Sequence, residues 1–330
     1  MFGMGIMENL MVGLIGVSHW HSRMYVDALM DIDGVKVVGV SDRDIGVAKH
    51  VAEKIGCIYR ADYRELIEGR ELDFVFAFGI HREMPEIIES LIDLGIAFMA
   101  EKPAGTDYKQ LEPLVRRVED EGLFASVAFA YRCSPWVKRL SELKRSGLLG
   151  EFLHGYYRYI TGPPRRYVDW GCGWMLNKEL SGGGCTINLA IHYIDLARHL
   201  TGSEVRRVYA VMGNRGFGLE IEDLSAIIME MDDGSVHTVD VGYCNPSGGW
   251  NSTFSVTTRN YRVLVYGEEC SIASKSGGEE KISLRGVNMY RSMVEETIKR
   301  YEAGVKPIAS LRDCLTALKV VNKAYESDIR

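Results

Sequence analysis

The sequence predicts an α/β protein in two parts: a doubly wound parallel sheet first, then an α+β region with an open, mostly antiparallel sheet. Two observations carry this. From Met11 to Phe129, apolar β-rich runs alternate with helical patterns, which argues for parallel strands joined by crossover helices. Beyond about Tyr131, strand candidates follow one another with few helices between them, which argues for antiparallel pairing. A chain of 330 residues has room for two cores, and the change of rhythm divides it into 11–130 and 131–330.

In the first part, Met11 to Gly16 reads as a buried strand ending in a glycine turn, with a helix starting between Ser18 and Ser22. Val35 to Ser41 is a second strand, followed by helical patterns at Asp44–Ile55 and Tyr63–Glu68. Leu72 to Phe78 is a third strand. Pro85 opens a helix with Ile87, Ile88, Leu91 and Ile92 on its apolar face, and Gly95 closes it. Ile96–Ala100, a helix over Asp107–Glu121 and a strand over Phe124–Phe129 complete this part.

In the second part, helices are expected at Pro135–Ser146 and Thr186–Leu200. Strands are expected at Glu151–Tyr159, Val205–Met212, Leu224–Met231, Val236–Tyr243, Ser252–Thr258, Tyr261–Tyr266 and Ser271–Ala273. Asp232-Asp233-Gly234 supplies a hairpin turn. Helices at Met289–Glu302 and Leu311–Tyr325 close the chain.

Composition narrows the function. A net charge of -6 with no basic stripe argues against nucleic acid as a partner. Seven cysteines, odd in number and without a Cys-x-x-Cys pair, favour reduced thiols and a cytoplasmic location. Met1 to Leu10 lacks the basic and apolar regions of a signal peptide, and Met11 would serve as a start. No apolar run is long enough to span a membrane.

Three motifs carry chemistry. The turn Gly16-Val17-Ser18-His19-Trp20-His21 sits where a dinucleotide fingerprint would place Gly-x-Gly-x-x-Gly, with Ser18 and His21 at the second and third glycine positions. Asp42, ending the next strand, would accept from the ribose hydroxyls and favour NAD. The neighbouring Arg43 would favour NADP by pairing with its 2′-phosphate. Asp42 could equally cap the following helix. His19 and His21, with His81 after the third strand, are a weak metal signal, since no third ligand has a helix spacing and the turn should hold a cofactor; no metal is expected. Cofactor contacts are therefore expected from Gly16, Ser18, His19, His21, Asp42 and Arg43, with Phe78, His81 and Glu101 at neighbouring strand ends.

The second motif is Glu101-Lys102-Pro103, at the carboxyl end of an apolar strand. Ligands of open α/β sheets bind at that edge, and Pro103 restrains the backbone of Lys102. A lysine there can hydrogen-bond a hydroxyl and stabilise developing oxyanion charge. The third motif is Gly182-Gly183-Gly184 leading into a helix on which Asn188, His192 and Asp195 share one face. A histidine held this way can exchange a proton with a hydroxyl as hydride leaves the same carbon.

Glu101-Lys102-Pro103, the triple glycine with His192-x-x-Asp195, and Ala130-Tyr131-Arg132 followed by Pro135 together resemble the Gfo/Idh/MocA oxidoreductases, over nearly the whole chain. The resemblance implies a Rossmann-type domain over 11–130 binding NAD or NADP. It implies a substrate-binding and oligomerisation domain over 131–330 whose sheet forms a homodimer or homotetramer. It also implies a small carbohydrate substrate, a sugar or polyol. Lys102 matches the family's catalytic lysine and His192 its acid/base histidine. Asn188 falls where several members carry an aspartate that completes the triad. Arg132, Trp170, Tyr193 and Asp195 become candidate substrate contacts. The loops Tyr157–Trp174 and Tyr243–Trp250 become the seat of specificity.

The expected activity is hydride transfer between nicotinamide and a secondary alcohol or ketone. Two alternatives stay open. One is a glycosidase-like cycle on tightly held NAD. The other is a non-redox sugar- or nucleotide-sensing regulator, which the degraded glycine turn and the unusual Ala77-Phe78-Gly79-Ile80-His81 segment would suit.

Overall fold

The computed structural model describes residues 9–69 and 71–328; the leader Met1–Glu8 lies outside them. The first part is a six-stranded parallel sheet built from β1 (Leu10–Ile15), β2 (Val35–Ser41), β3 (Ile58–Arg60), β4 (Phe74–Ala77), β5 (Ala97–Ala100) and β6 (Ala125–Val127). Their order is β3-β2-β1-β4-β5-β6, so the sheet reverses its winding between β1 and β4. Crossover helices α1 (Ser22–Leu29), α2 (Ile45–Ile55), α3 (Tyr63–Glu68), α4 (Met84–Asp93) and α5 (Tyr108–Asp120) cover both faces. Every residue of β4 and β5 is consequently buried, as unbroken apolar runs in a two-sided parallel sheet should be.

Local sequence sets the helix ends. Asp44 accepts from the backbone N–H groups of Gly46 and Val47 and so caps α2, whose far end is the left-handed Gly56. Asp107 and Gln110 form a capping box at α5.

After a 3-10 turn at Ala130–Cys133 and α6 (Pro135–Arg145), the chain enters β7 (Phe152–Thr161). Between β7 and the next long helix lie two short helices, α7 (Arg166–Asp169) and α8 (Lys178–Ser181), none of which the sequence pattern signals. The expected helix Thr186–Leu200 begins instead as a π turn, Thr186–Ala190, and continues as α9 (Ile191–Thr201).

The second sheet adds β8 (Val205–Gly213), β9 (Leu224–Met231), β10 (Val236–Gly242), β11 (Trp250–Thr258), β12 (Tyr261–Tyr266), β13 (Glu269–Ser274) and β14 (Glu279–Ser283). Its order is β14-β13-β12-β11-β7-β10-β9-β8, and β7 with β10 is its parallel pair. Alternation is strict on β9, where Ser225, Ile227, Met229 and Met231 face the core. Helices α10 (Met289–Glu302) and α11 (Leu311–Ser327) then return toward the first sheet. Met293, Val294 and Ile298 of α10 join the core against α1 and the 3-10 turn, and α11 lies along α5 and α9. The first sheet's carboxyl edge therefore faces α9 and the helices between β7 and α9.

Candidate active site

A cleft of roughly 1070 Å³ opens where the sheet reverses, outside the carboxyl ends of β1, β2 and β4. Gly16 forms its floor. Its φ is +76°, and a Cβ there would stand 1.7 Å from the backbone oxygen of Phe78. Only glycine lets the turn cross β4's exit so closely. Ser18, His19, Trp20 and Ser22 continue along the wall, with Phe78, Asp62, Tyr63 and Trp174 opposite.

Asp42 lines the same cleft but does not cap α2, because Asp44 does. Its carboxylate accepts from the N–H groups of Ser18 (2.7 Å) and Asp44 (2.9 Å), bracing the glycine turn against the end of β2. Arg43 is on the cleft rim and pairs with Glu83 at 2.8 Å. The features a dinucleotide requires are thus present: a turn approachable at the backbone, a helix start and an acid at the ribose position.

Behind this wall, His21 does what no glycine could. Its Nδ1 lies 3.0 Å from Glu101 Oε1, and its Nε2 lies 3.0 Å from the hydroxyl of Tyr290 on α10. Tyr25 donates to the same Glu101 oxygen at 2.6 Å, and the Lys102 backbone N–H donates to Oε2 at 3.1 Å. Burial opposes the Glu101 charge, but His21 overcomes it and holds the carboxyl below the usual range. Ligating atoms of His19, His21 and Glu101 fall within 4.8 Å of one another; His21 bonds Glu101, and the His21 backbone N–H donates to His19 Nδ1 at 3.2 Å. Glu101, His21 and His81 therefore stand behind the cleft rather than on its wall. His81 is buried, with Nδ1–H donating to the Ser181 carbonyl at 2.8 Å and Nε2 without a partner. Burial pushes it down to about 3.

Lys102 is 2% exposed, at the end of β5. Its Nζ donates to the backbone oxygen and to Oδ1 of Asn188, each at 2.9 Å. The Asn188 amide nitrogen donates to the hydroxyls of Tyr167 (2.8 Å) and Tyr243 (2.9 Å). Burial lowers Lys102 to about 8, with Glu101 opposing the shift. His192 stands beside this group, its Nδ1 buried without a partner. Burial first, then the Lys102 charge, pushes it well below the ordinary imidazole value. Three glycines make this approach possible. Glu222 accepts from the N–H groups of Gly184 and Thr186, each at 2.9 Å, and anchors the π turn that carries Asn188.

Three expected substrate contacts have other partners. Arg132 and Asp195 hold each other through two hydrogen bonds (2.9 and 2.5 Å), and Asp313 adds a third contact at 3.0 Å. A buried pair satisfied this way has no free donor face for substrate. Tyr193 is core, packed against Tyr157 and Phe254 with its hydroxyl on Tyr131. Trp170 is half exposed, on the wall of the cofactor cleft rather than beside Lys102. Sequence reading placed Tyr167 and Tyr243 only within the specificity loops, and it missed Tyr25 and Tyr290. The loops holding Tyr167 and Tyr243 carry a signal in their aromatic content; Tyr25 and Tyr290 carry none.

A dinucleotide-type sheet with a lysine at its carboxyl edge and a histidine facing it from α9 is the arrangement of an NAD(P)-dependent oxidoreductase. The chain belongs to the Gfo/Idh/MocA family. Residues 10–129 match the model of the oxidoreductase family with an NAD-binding Rossmann fold, and residues 137–273 match the GFO/IDH/MocA C-terminal domain. It is 24% identical to D-apiose dehydrogenase of Paraburkholderia graminis, over 95% of this chain and 86% of that one. It is 23% identical to myo-inositol 2-dehydrogenase of Thermotoga maritima, over 96% and 95% of the two chains. A levoglucosan dehydrogenase solved with NADH and levoglucosan shares the fold, with a TM-score of 0.86 and 19% identity, covering 97% of each chain.

Proposed function

We propose that this protein oxidises a secondary alcohol of a sugar or polyol, or reduces the matching ketone, with NAD as the preferred dinucleotide. One observation carries the reading. Lys102 Nζ is fixed on Asn188 beside His192, at a strand end next to a cleft shaped for a dinucleotide. The named substrates of the related dehydrogenases support the carbohydrate class. Asp42 at the ribose position supports NAD, as does the pairing of Arg43 with Glu83, which competes with a 2′-phosphate for its charge.

When bound, the nicotinamide supplies the hydride acceptor. This chain's part is to hold the alcohol and receive its proton. Lys102 and His192 give the reacting oxygen two nitrogen neighbours in a buried setting, where hydrogen bonds to developing charge count most. Trp20 and Trp174 give the dinucleotide cleft flat apolar walls. In this reading 11–130 holds the cofactor and 131–330 the substrate.

Two further parts belong to the proposal. Seven cysteines without disulfides fit a cytoplasmic protein, and no described helix is long and apolar enough to cross a membrane. The outer face of the second sheet exposes Tyr209, Val211 and Ile228 on β8 and β9, and Leu264 and Tyr266 on β12, two apolar patches suited to pairing with a second copy. The test of the activity is a panel of sugars and polyols incubated with NAD⁺ or NADP⁺, following absorbance of the reduced nicotinamide. At least one substrate should turn over with NAD⁺. A panel without turnover, from protein that binds NADH, would remove the dehydrogenase reading.

A further inference from the structure

We infer that the substrate is a sugar acid, and that Arg166, at the start of α7, binds its carboxylate and selects for it. This rests on the dehydrogenase reading above and narrows its carbohydrate class.

The argument starts from charge pairing. A guanidinium that loses water in folding normally gains a carboxylate. Buried Arg132 and Arg198 each use Nε and Nη2 to grip one, Asp195 and Glu204 respectively. The half-buried arginines pair as well, as Arg158 does with Asp240 and Arg300 with Glu296. Among the described residues Arg166 is the exception. It is half-buried, and no carboxylate lies within salt-bridge distance of it. The nearby Asp169 pairs with Arg165 instead, at 3.7 Å.

Arg166 is nonetheless held in place. Its Nη1 donates to the backbone oxygens of Gly162 and Pro163, and its Nη2 donates to the Tyr167 hydroxyl at 3.1 Å. The guanidinium carbon stands 4.6 Å from the centre of the Tyr167 ring, 5.2 Å from that of Tyr243 and 5.8 Å from that of Trp170. Aromatic faces steady a cation without neutralising it. An arginine has five N–H donors, and three of these bonds are made inside the chain. The Nε–H and the second Nη2 hydrogen have no partner among the described residues. Those are the two nitrogens that Arg132 and Arg198 turn on a carboxylate, and a planar fork of this kind matches a carboxylate in two bonds.

Its position relative to Lys102 makes the missing partner a substrate group. The Tyr167 hydroxyl that meets Arg166 also accepts from the Asn188 amide at 2.8 Å, and the amide oxygen accepts from Lys102 Nζ at 2.9 Å. Two side chains thus separate guanidinium from ammonium. One sugar skeleton covers that span, with its reacting hydroxyl at Lys102 and its carboxylate at Arg166. Arg166 is not on the wall of the dinucleotide cleft, so the cofactor phosphates are not its ligands. A sugar phosphate suits the place less well than a carboxylate. A phosphoryl group has three oxygens and nearly two charges to satisfy, whereas this spot offers one guanidinium with two free hydrogens.

The test compares compounds that differ in charge alone. Hexuronates and aldonates are incubated with NAD⁺ beside the methyl esters of the uronates, the amides of the aldonates and the hexose 6-phosphates. At least one acid should exceed its uncharged partner by about tenfold or more in kcat/KM, because a site built around a charged donor rejects a ligand that leaves it unpaired. Arg166→Gln should cut that ratio by about tenfold or more, chiefly through the KM of the acid, and Arg166→Lys should recover part of it. Equal losses for acid and uncharged partner in Arg166→Gln would assign Arg166 to holding the Gly162–Pro163 backbone and overturn the inference. Turnover confined to uncharged sugars, or a preference for the phosphates, overturns it too, while the dehydrogenase reading stands. No turnover of any compound removes that reading instead. Tryptophan fluorescence then decides the site: quenching by the acids and not by their uncharged partners keeps the carboxylate site, and no difference between them overturns it.

Discussion

The turn after β1 and the turn into α9 both bring backbone to the site through glycine, but the steric demand is distributed differently. In the first, the demand falls on Gly16 alone, whose missing Cβ would sit 1.7 Å from a carbonyl oxygen. Ser18 and His21 occupy the other fingerprint positions without left-handed backbone. In the second, three glycines in a row are constrained. A Cβ at Gly182 would meet Thr106 at 2.8 Å, at Gly183 the Tyr325 hydroxyl at 2.0 Å, and at Gly184 the Glu222 oxygen at 1.9 Å. A glycine motif is therefore an average over separate requirements. This chain keeps the one that close approach enforces and uses the others for side chains, with His21 reaching back to Glu101 and Tyr290.

Substitutions in and near the two turns separate these demands. Gly16→Ala should have the largest effect, either preventing folding or abolishing NADH binding, because the clash is with backbone that cannot turn away. Normal NADH affinity in Gly16→Ala would end the claim that this position carries the turn. Lys102→Met should lower turnover by roughly 10³-fold or more while leaving NADH affinity within about threefold, since Lys102 serves chemistry rather than the turn. Ser18→Gly should be the mildest, changing NADH affinity by less than about fivefold, because the serine hydroxyl and the bare backbone can both address phosphate.

Both turns also carry buried histidines, His19 in one and His192 close behind the other, and they set an acid response. His81 is pushed down to about 3, His199 and His237 to about 4, and His19 and His192 well below the ordinary value, each mainly by burial. The unfolded chain binds these protons near 6.5, before the folded one does. Stability from these groups is complete above that pH and is lost as pH falls from about 6.5 through 4 and on toward 3. Urea midpoints should decline through that window. A flat profile down to pH 4.5 would show that these rings take up protons in place.

Much of the first sheet was legible because strands buried on both faces read as continuous apolar runs. β3 escaped notice, being three residues at an edge with two exposed. β14 escaped because Glu279, Glu280 and Lys281 are all exposed and leave no apolar alternation. The helices between β7 and α9 are single turns held by local backbone bonds, without a periodic face. In the site, Lys102, Asn188 and His192 were legible as motif residues. Their mutual roles were not, because Asn188's orientation depends on Tyr167 and Tyr243, 21 and 55 residues away. Arg132 and Asp195 misled for the same reason. Their charges suggest a ligand until the fold places them against each other.

The most direct measurement is titration of purified, cofactor-free protein with NADH and then NADPH, following nicotinamide fluorescence. Saturable binding of NADH is expected, with weaker binding of NADPH and loss of both in Gly16→Ala. Well-folded protein that binds neither would contradict the dinucleotide site and turn attention to a non-redox role for the fold.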